Sequence, residues 1–245
     1  MPLIVILPAI AFVTALISGI FGMAGGLVLM GALTLLLPVG AAFVTHGLIQ
    51  IVSNGWRAWL NRADIVWPII GWYALASLAA AILFTFISWV PSRPFVLIAL
   101  GLVGFSVWLP AKRFALDANR PVHALASGLL VTGTNLLAGV AGPLLDIFFV
   151  NTRLTRHQIV ATKAFTQVFA HLAKIVVYGY ALLFTAAEGQ PPWLAILAAI
   201  PLTMLGTRFG KAVLDRMSDI GFINWTRWIV TAIGAVYLVQ GLFMA

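Results

Sequence analysis

The chain has no cysteine, which excludes disulfides, thiolate nucleophiles, cysteine-held zinc and cysteine-ligated clusters. Charge is also scarce: 8% of the 245 residues are charged, against roughly 25% in a soluble domain. Acidic residues are rarest, six against fourteen Lys and Arg, which leaves few carboxylates for acid–base chemistry or for holding cations. No His-Glu-x-x-His pair and no Gly-x-x-x-x-Gly-Lys-Ser/Thr loop occurs, so neither that zinc hydrolase chemistry nor direct ATP hydrolysis has its residues. No metal, catalytic group or cofactor is expected. What the chain has instead is apolar sequence, 62% hydrophobic in long recurring runs, and no stretch that reads as a soluble domain. The expected fold class is an all-α polytopic membrane protein. The start, Met1-Pro2-Leu3-Ile4, lacks the basic region of a cleaved signal peptide, so the first apolar segment is expected to stay.

At roughly 20 residues per crossing, the segments are 3–38, 41–60, 65–87, 94–110, 122–150, 157–184, 192–214 and 221–244. Six suit single helices. Segments 3–38 and 122–150 would be roughly 54 and 43 Å long as straight helices, too long for a hydrocarbon core of about 30 Å. Both carry glycines mid-way, at Gly22, Gly25 and Gly26 and at Gly128, Gly133, Gly139 and Gly142. Each is expected to be two shorter helices meeting at a Gly-rich, re-entrant break, tolerable in a membrane only where protein or water surrounds it.

The two long segments align on each other. Placing Gly22-Met23-Ala24-Gly25-Gly26 on Gly139-Val140-Ala141-Gly142-Pro143 gives an offset of 117, which also sets Thr45 on Thr162, Gln50 on Gln167 and Arg57 on Lys174. The same register sets His46 on Lys163 and Asn54 on His171. The expected organisation is two membrane repeats of four segments, 1–115 and 120–245. Charge then fixes their sense. If every segment crossed once, the basic loops would fall on both sides, against the positive-inside rule, and the loop holding only Glu188 would join the wrong group. If segments one and five enter and leave on one side, then 57–64, 111–120, 151–156 and 208–219 share the cytoplasmic face with ten Lys and Arg. Arg93 is then the one basic loop residue opposite. Three net crossings per half make the repeats inverted.

Ionisable and amide groups within a span are costly there and are functional candidates. Residues His46, Gln50 and Asn54, and Lys163, Gln167 and His171, fall at i, i+4 and i+8 and form one polar stripe on each of two helices. Such stripes also serve as interhelical hydrogen-bond glue. Lys163, after Ala161-Thr162, is either a ligand or a lysine snorkelling to the interface seven residues past Arg156. Asp146, far from any loop, is either the partner of Lys163 or Lys174 in a salt bridge or a proton-coupling group. Arg57 and Lys174 are expected to be interface anchors at helix ends. Breaks supply backbone N–H groups, which favour anions; together with His46, Lys163 and His171 they imply an anionic cargo. The substrate-binding set is Gly22, Gly25, Gly26, His46, Gln50, Asn54, Gly139, Gly142, Thr162, Lys163, Gln167 and His171, with Asp146 for proton coupling.

Paired Gly-rich segments of the form Gly-x-x-Gly-x-Gly-Gly-Gly, each followed by a helix opening with Ala-Thr, resemble the TauE/SafE family of sulfite and sulfonate exporters, also called TSUP transporters. The matching stretches are Ser18-Gly19-Ile20-Phe21-Gly22-Met23-Ala24-Gly25-Gly26, Gly139-Val140-Ala141-Gly142-Pro143 and Ala161-Thr162-Lys163-Ala164. The chain departs from the pattern at Leu27, at Pro143-Leu144, and in lacking the Val-Pro pair that often follows. The resemblance implies a multi-pass protein of the bacterial inner membrane that exports sulfite or an organosulfonate such as sulfoacetate. Partners would then be the anion, the lipid bilayer and a coupling proton or sodium ion, with no nucleic acid. A passive anion channel, an intramembrane enzyme and a membrane scaffold are the rival readings.

Overall fold

The computed structural model describes residues 2–22, 24–87, 89–184, 189–216 and 219–245; Met23 and Glu188, used in the alignment and the charge count above, lie outside the described residues. The described residues form α1 (Leu3–Phe21), α2 (Ala24–Leu36), α3 (Val39–Leu60), α4 (Trp67–Ile87), α5 (Arg93–Phe105), α6 (Pro121–Ala138), α7 (Gly142–Ile147), α8 (Arg156–Phe184), α9 (Trp193–Leu214) and α10 (Asp219–Met244). No strand occurs among them. Five of the six single segments are single helices, 94–110 is instead the shorter α5 followed by a 3-10 turn at Ser106–Trp108, and both long segments are broken where the glycines lie. At each break a glycine leaves helical geometry, Gly22 at φ 75° and Gly139 at φ 80°, values that L side chains avoid. Their amides cap the preceding turns at 2.9 Å, Gly22 N–H on Ser18 O and Gly139 N–H on Asn135 O.

α1, α4, α8, α9 and α10 are long and apolar enough to cross a membrane. The 22-residue α3 is long enough but polar, and its polar face is enclosed by protein: His46, Gln50, Ser53, Asn54 and Arg57 are all buried. Large apolar side chains such as Leu78, Phe86, Leu183, Leu194 and Phe243 cover the outside, as lipid requires. α2 forms the centre of the larger core, where Leu27, Met30 and Leu33 meet Phe43, Leu97, Leu100 and Leu136.

Helices pair through small residues, the expected means of association where lipid is as apolar as the side chains. α1 runs parallel to α9: Gly206 faces Phe12 O and Gly210 faces Leu16 O, so closely that a Cβ on Gly210 would lie 2.6 Å from Gly19 Cα. α4 runs parallel to α6, with Gly128 against Tyr73 and the Ser77 and Thr132 hydroxyls bonded. α3 is antiparallel to α8, with Gly47 on Ile175 and Gly40 on Leu182. α5 is antiparallel to α10, where Gly101 and Gly104 meet Gly234.

These directions locate the loops. Asn151 donates to the Ala111 and Leu116 carbonyls at 3.3 and 3.2 Å, Ala118 N–H to Phe148 O at 2.9 Å and Arg156 to Leu214 O at 3.1 Å. Val66 N–H donates to Thr162 Oγ1 at 3.0 Å. The connections near 61–66, 109–120, 148–156 and 214–216 therefore gather at one end, with most of the basic residues. Arg93 donates to Leu37 O at 3.4 Å at the other end. The α1–α2 hairpin opens at that second end, and the α6–α7 hairpin opens at the basic end.

Candidate functional site

The two hairpins bring their breaks toward α3 and α8, the two helices that carry the polar stripes. On α3, His46 Nε2 lies 3.0 Å from Gly26 O, just inside α2. The carbonyl can only accept, so Nε2 is the donor and Nδ1 is left as an acceptor. That acceptor takes a hydrogen bond from Lys174 Nζ on α8 at 2.7 Å. Lys174 Nζ also donates to Gly139 O at 2.8 Å and to Asn135 Oδ1 at 3.3 Å, and it sits 5.7 Å over the Phe43 ring. His171 completes the group, its ring 5.5 Å from that of His46 and its Nδ1 3.4 Å from Asn135 Nδ2.

Between the breaks lies a narrow cleft with room for about one water molecule. Gln50 and Gln167 face it from α3 and α8, with His46 and His171. Ser18 and Asn135 close it from the last turns of α1 and α6, and Gly22, Gly26 and Gly142 bring backbone to its edge. No carboxylate among the described residues lines it. Amide, imidazole and hydroxyl groups around a buried lysine suit a small anion better than a cation.

Seven of the expected residues therefore line this one cleft: Gly22, Gly26, His46, Gln50, Gly142, Gln167 and His171. Gly139 reaches the site through its carbonyl bond to Lys174. The others lie around it. Gly25 is wedged against α1, where a Cβ would lie 2.7 Å from Ser18 N. Asn54 stands one turn along from Gln50 and donates to its Oε1 at 3.3 Å. Thr162 is taken up by the Val66 amide at the basic end, and Lys163 forms an ion pair with Asp146.

Two expectations need correction. Lys174 is not an interface anchor: α8 continues ten residues past it, and the side chain is fully buried with three acceptors. Arg57 does lie in the last turn of α3, but its guanidinium turns inward and donates to Gly22 O at 3.3 Å. A terminal position in sequence does not fix a long side chain's direction when an unpaired carbonyl stands within reach. Sequence reasoning also missed Ser18 and Asn135. The 117-residue register that paired Gln50 with Gln167 pairs these two as well, and was the signal available.

A family model described as the sulfite exporter TauE/SafE matches residues 7–239, nearly the whole chain. The chain belongs to the TauE/SafE family. No curated protein and no solved structure matched it. As a TauE/SafE protein it is a multi-pass membrane protein of a transporter family, and the cleft is the candidate place for cargo in it.

Proposed function

We propose that this TauE/SafE protein is a secondary transporter that exports a small oxyanion, sulfite or an organosulfonate, across a bacterial inner membrane by alternating access between two inverted repeats. The observation that carries the reading is the closed cleft between the breaks, rich in hydrogen-bond donors, backed by the Lys174 ammonium and free of carboxylates. A sulfonate or sulfite group presents three oxygens, which the Gln50 and Gln167 amides, the His171 imidazole and the Asn135 amide can share. The present closure requires the walls to part before cargo enters, which favours a carrier over an open channel.

Several pairings support two repeats. Exchanging residues 117 apart turns the α1–α9 pairing into the α6–α4 pairing and leaves α3–α8 and α5–α10 as they are. It also turns the Arg57–Gly22 bond into the Lys174–Gly139 bond. Hairpins that open at opposite ends fit repeats of inverted sense, and the gathered basic loops fit a cytoplasmic basic end.

The first experiment is a thermal-shift screen of purified protein against sulfite, thiosulfate, sulfoacetate, taurine and simple carboxylates. A true ligand at about a hundred times its dissociation constant adds roughly 2.7 kcal/mol of stability. Shifts confined to sulfur oxyanions, followed by uphill movement of the same anion in proteoliposomes, support the reading. Movement that never runs uphill under any imposed ion gradient makes the protein a channel instead.

A further inference from the structure

Each of the three N–H bonds on the Lys174 ammonium has an acceptor, and all three acceptors are uncharged: Gly139 O, Asn135 Oδ1 and His46 Nδ1. Because His46 Nε2 is committed to Gly26 O, the contact between Nδ1 and Nζ holds one shared proton. The pair thus carries a single positive charge. A second proton on His46 would set two cations 2.7 Å apart, while loss of the shared one leaves a neutral amine whose two N–H groups serve two of the three acceptors.

Among the described residues, the surroundings supply no counter-charge. From α8 come His171 and Tyr178, the latter donating its hydroxyl to Leu136 O. α3 adds the amides of Gln50 and Asn54 and, farther along, Arg57 on Gly22 O. α6 adds Asn135, while its His123 accepts from the Asp117 amide at the basic end. α2 has no titratable residue, and α4, packed on α8, has Tyr73 alone. α9, packed on α3, meets it through Thr207, whose hydroxyl bonds Ser53 at 3.1 Å. Asp146 is engaged by Lys163 and does not line the cleft. A buried ammonium with neutral partners alone is costly, and the cleft beyond His46 is the space where an anion can balance it.

We propose that the His46–Lys174 pair, not Asp146, is the proton-carrying site of the transporter, taking up one proton as one anion fills the cleft and releasing both together. The proposal rests on the transport reading above. The proton comes from water on the side where cargo enters, joins the Lys174 amine in its bond with His46 Nδ1, and returns to water when the cleft opens opposite. No bond to cargo forms. Arg57, 117 positions earlier, makes the matching carbonyl bond at the other break but holds its proton at all ordinary pH values, so it cannot perform this exchange.

The test reconstitutes the full chain in vesicles and records anion and proton movement together under gradients of sulfite and of sulfoacetate. The difference between wild type and variant is read, so that protons borne by the cargo itself cancel. Lys174→Arg keeps the charge but cannot release it; it is expected to retain the anion-induced thermal shift and to carry one proton fewer per anion. Should that variant fail to fold, Lys174→Gln is used, with the expectation that any anion it moves travels without the extra proton. Asp146→Asn is expected to keep the wild-type proton-to-anion ratio. A ratio unchanged in the Lys174 variants, or lost in Asp146→Asn, overturns the proposal while leaving transport intact. A wild type that moves neither anion under any gradient removes the transport reading, and this proposal with it.

Discussion

At the first break, Gly22 gives its carbonyl to Arg57 at 3.3 Å; at the second, Gly139 gives its carbonyl to Lys174 at 2.8 Å. Both glycines have positive φ, both end a helix whose last turn faces the cleft, and both cations come from a striped helix. The surroundings differ. Gly22 has open space where a Cβ would go, and Arg57 has Nε and Nη2 buried without a hydrogen-bond partner. Gly139 is packed against Met30, and every donor on Lys174 is matched. The second break is thus the tightly built one and the first is loosely held. Under the proposed alternating access some part of the cleft must move, and the looser hydrogen bonding of the first break makes it the part with least to undo.

The comparison can be broken first at the glycines. Alanine at either position meets positive φ, at about 1–2 kcal/mol. Gly139→Ala must also displace Met30, whose Sδ would lie 2.6 Å from the new Cβ, and overpacking adds about 1–3 kcal/mol. Gly139→Ala should therefore melt well below Gly22→Ala in detergent; equal melting would erase the claimed difference in packing. A second test removes the cations. Lys174→Met strands three buried acceptors, at about 1–3 kcal/mol each before relaxation, whereas Arg57→Met frees only Gly22 O. Loss of anion flux should be far deeper in the first variant, and a deeper loss in the second would reverse the assignment of the two breaks.

The paired amides sharpen the comparison further. Gln50→Ala and Gln167→Ala each remove one hydrogen-bonding side chain from opposite walls of the cleft, and each should weaken the anion by roughly tenfold in a binding titration. A large effect from one and none from the other would mean that cargo sits against a single repeat. The smallest effect is expected at the Asp146–Lys163 pair, which is partly exposed at 36% and 16% of the side-chain surfaces. A double-mutant cycle there should give a coupling of about 1 kcal/mol or less by thermal melting. A much larger value, or loss of flux in Lys163→Ala at normal stability, would return Lys163 to the cargo site.

Much of the fold was legible because a bilayer imposes few solutions. Segment lengths against hydrocarbon thickness placed the long helices, and glycine clusters in segments too long for one helix located both breaks. The stripe residues His46, Gln50, Gln167 and His171 were legible for a related reason: polar groups in so apolar a chain stand out at helical spacing. Lys174 and Arg57 were misjudged because a long side chain near a segment's end can snorkel outward or fold inward. That choice depends on carbonyls that another segment presents. Lys163 stood at the expected place on its helix, but Asp146 at the end of α7 holds it there.

The sequence by itself determined the solvent, the long apolar segments and the two breaks, because each follows from hydrophobicity, length or spacing along one chain. Tertiary structure decided which polar groups meet. Lys174, His46, Gly26 and the Asn135–Gly139 turn come from four separate stretches, and no periodicity within any one of them encodes that they meet. Their meeting is set by how closely glycine-lined helices approach, which is a property of the packed bundle.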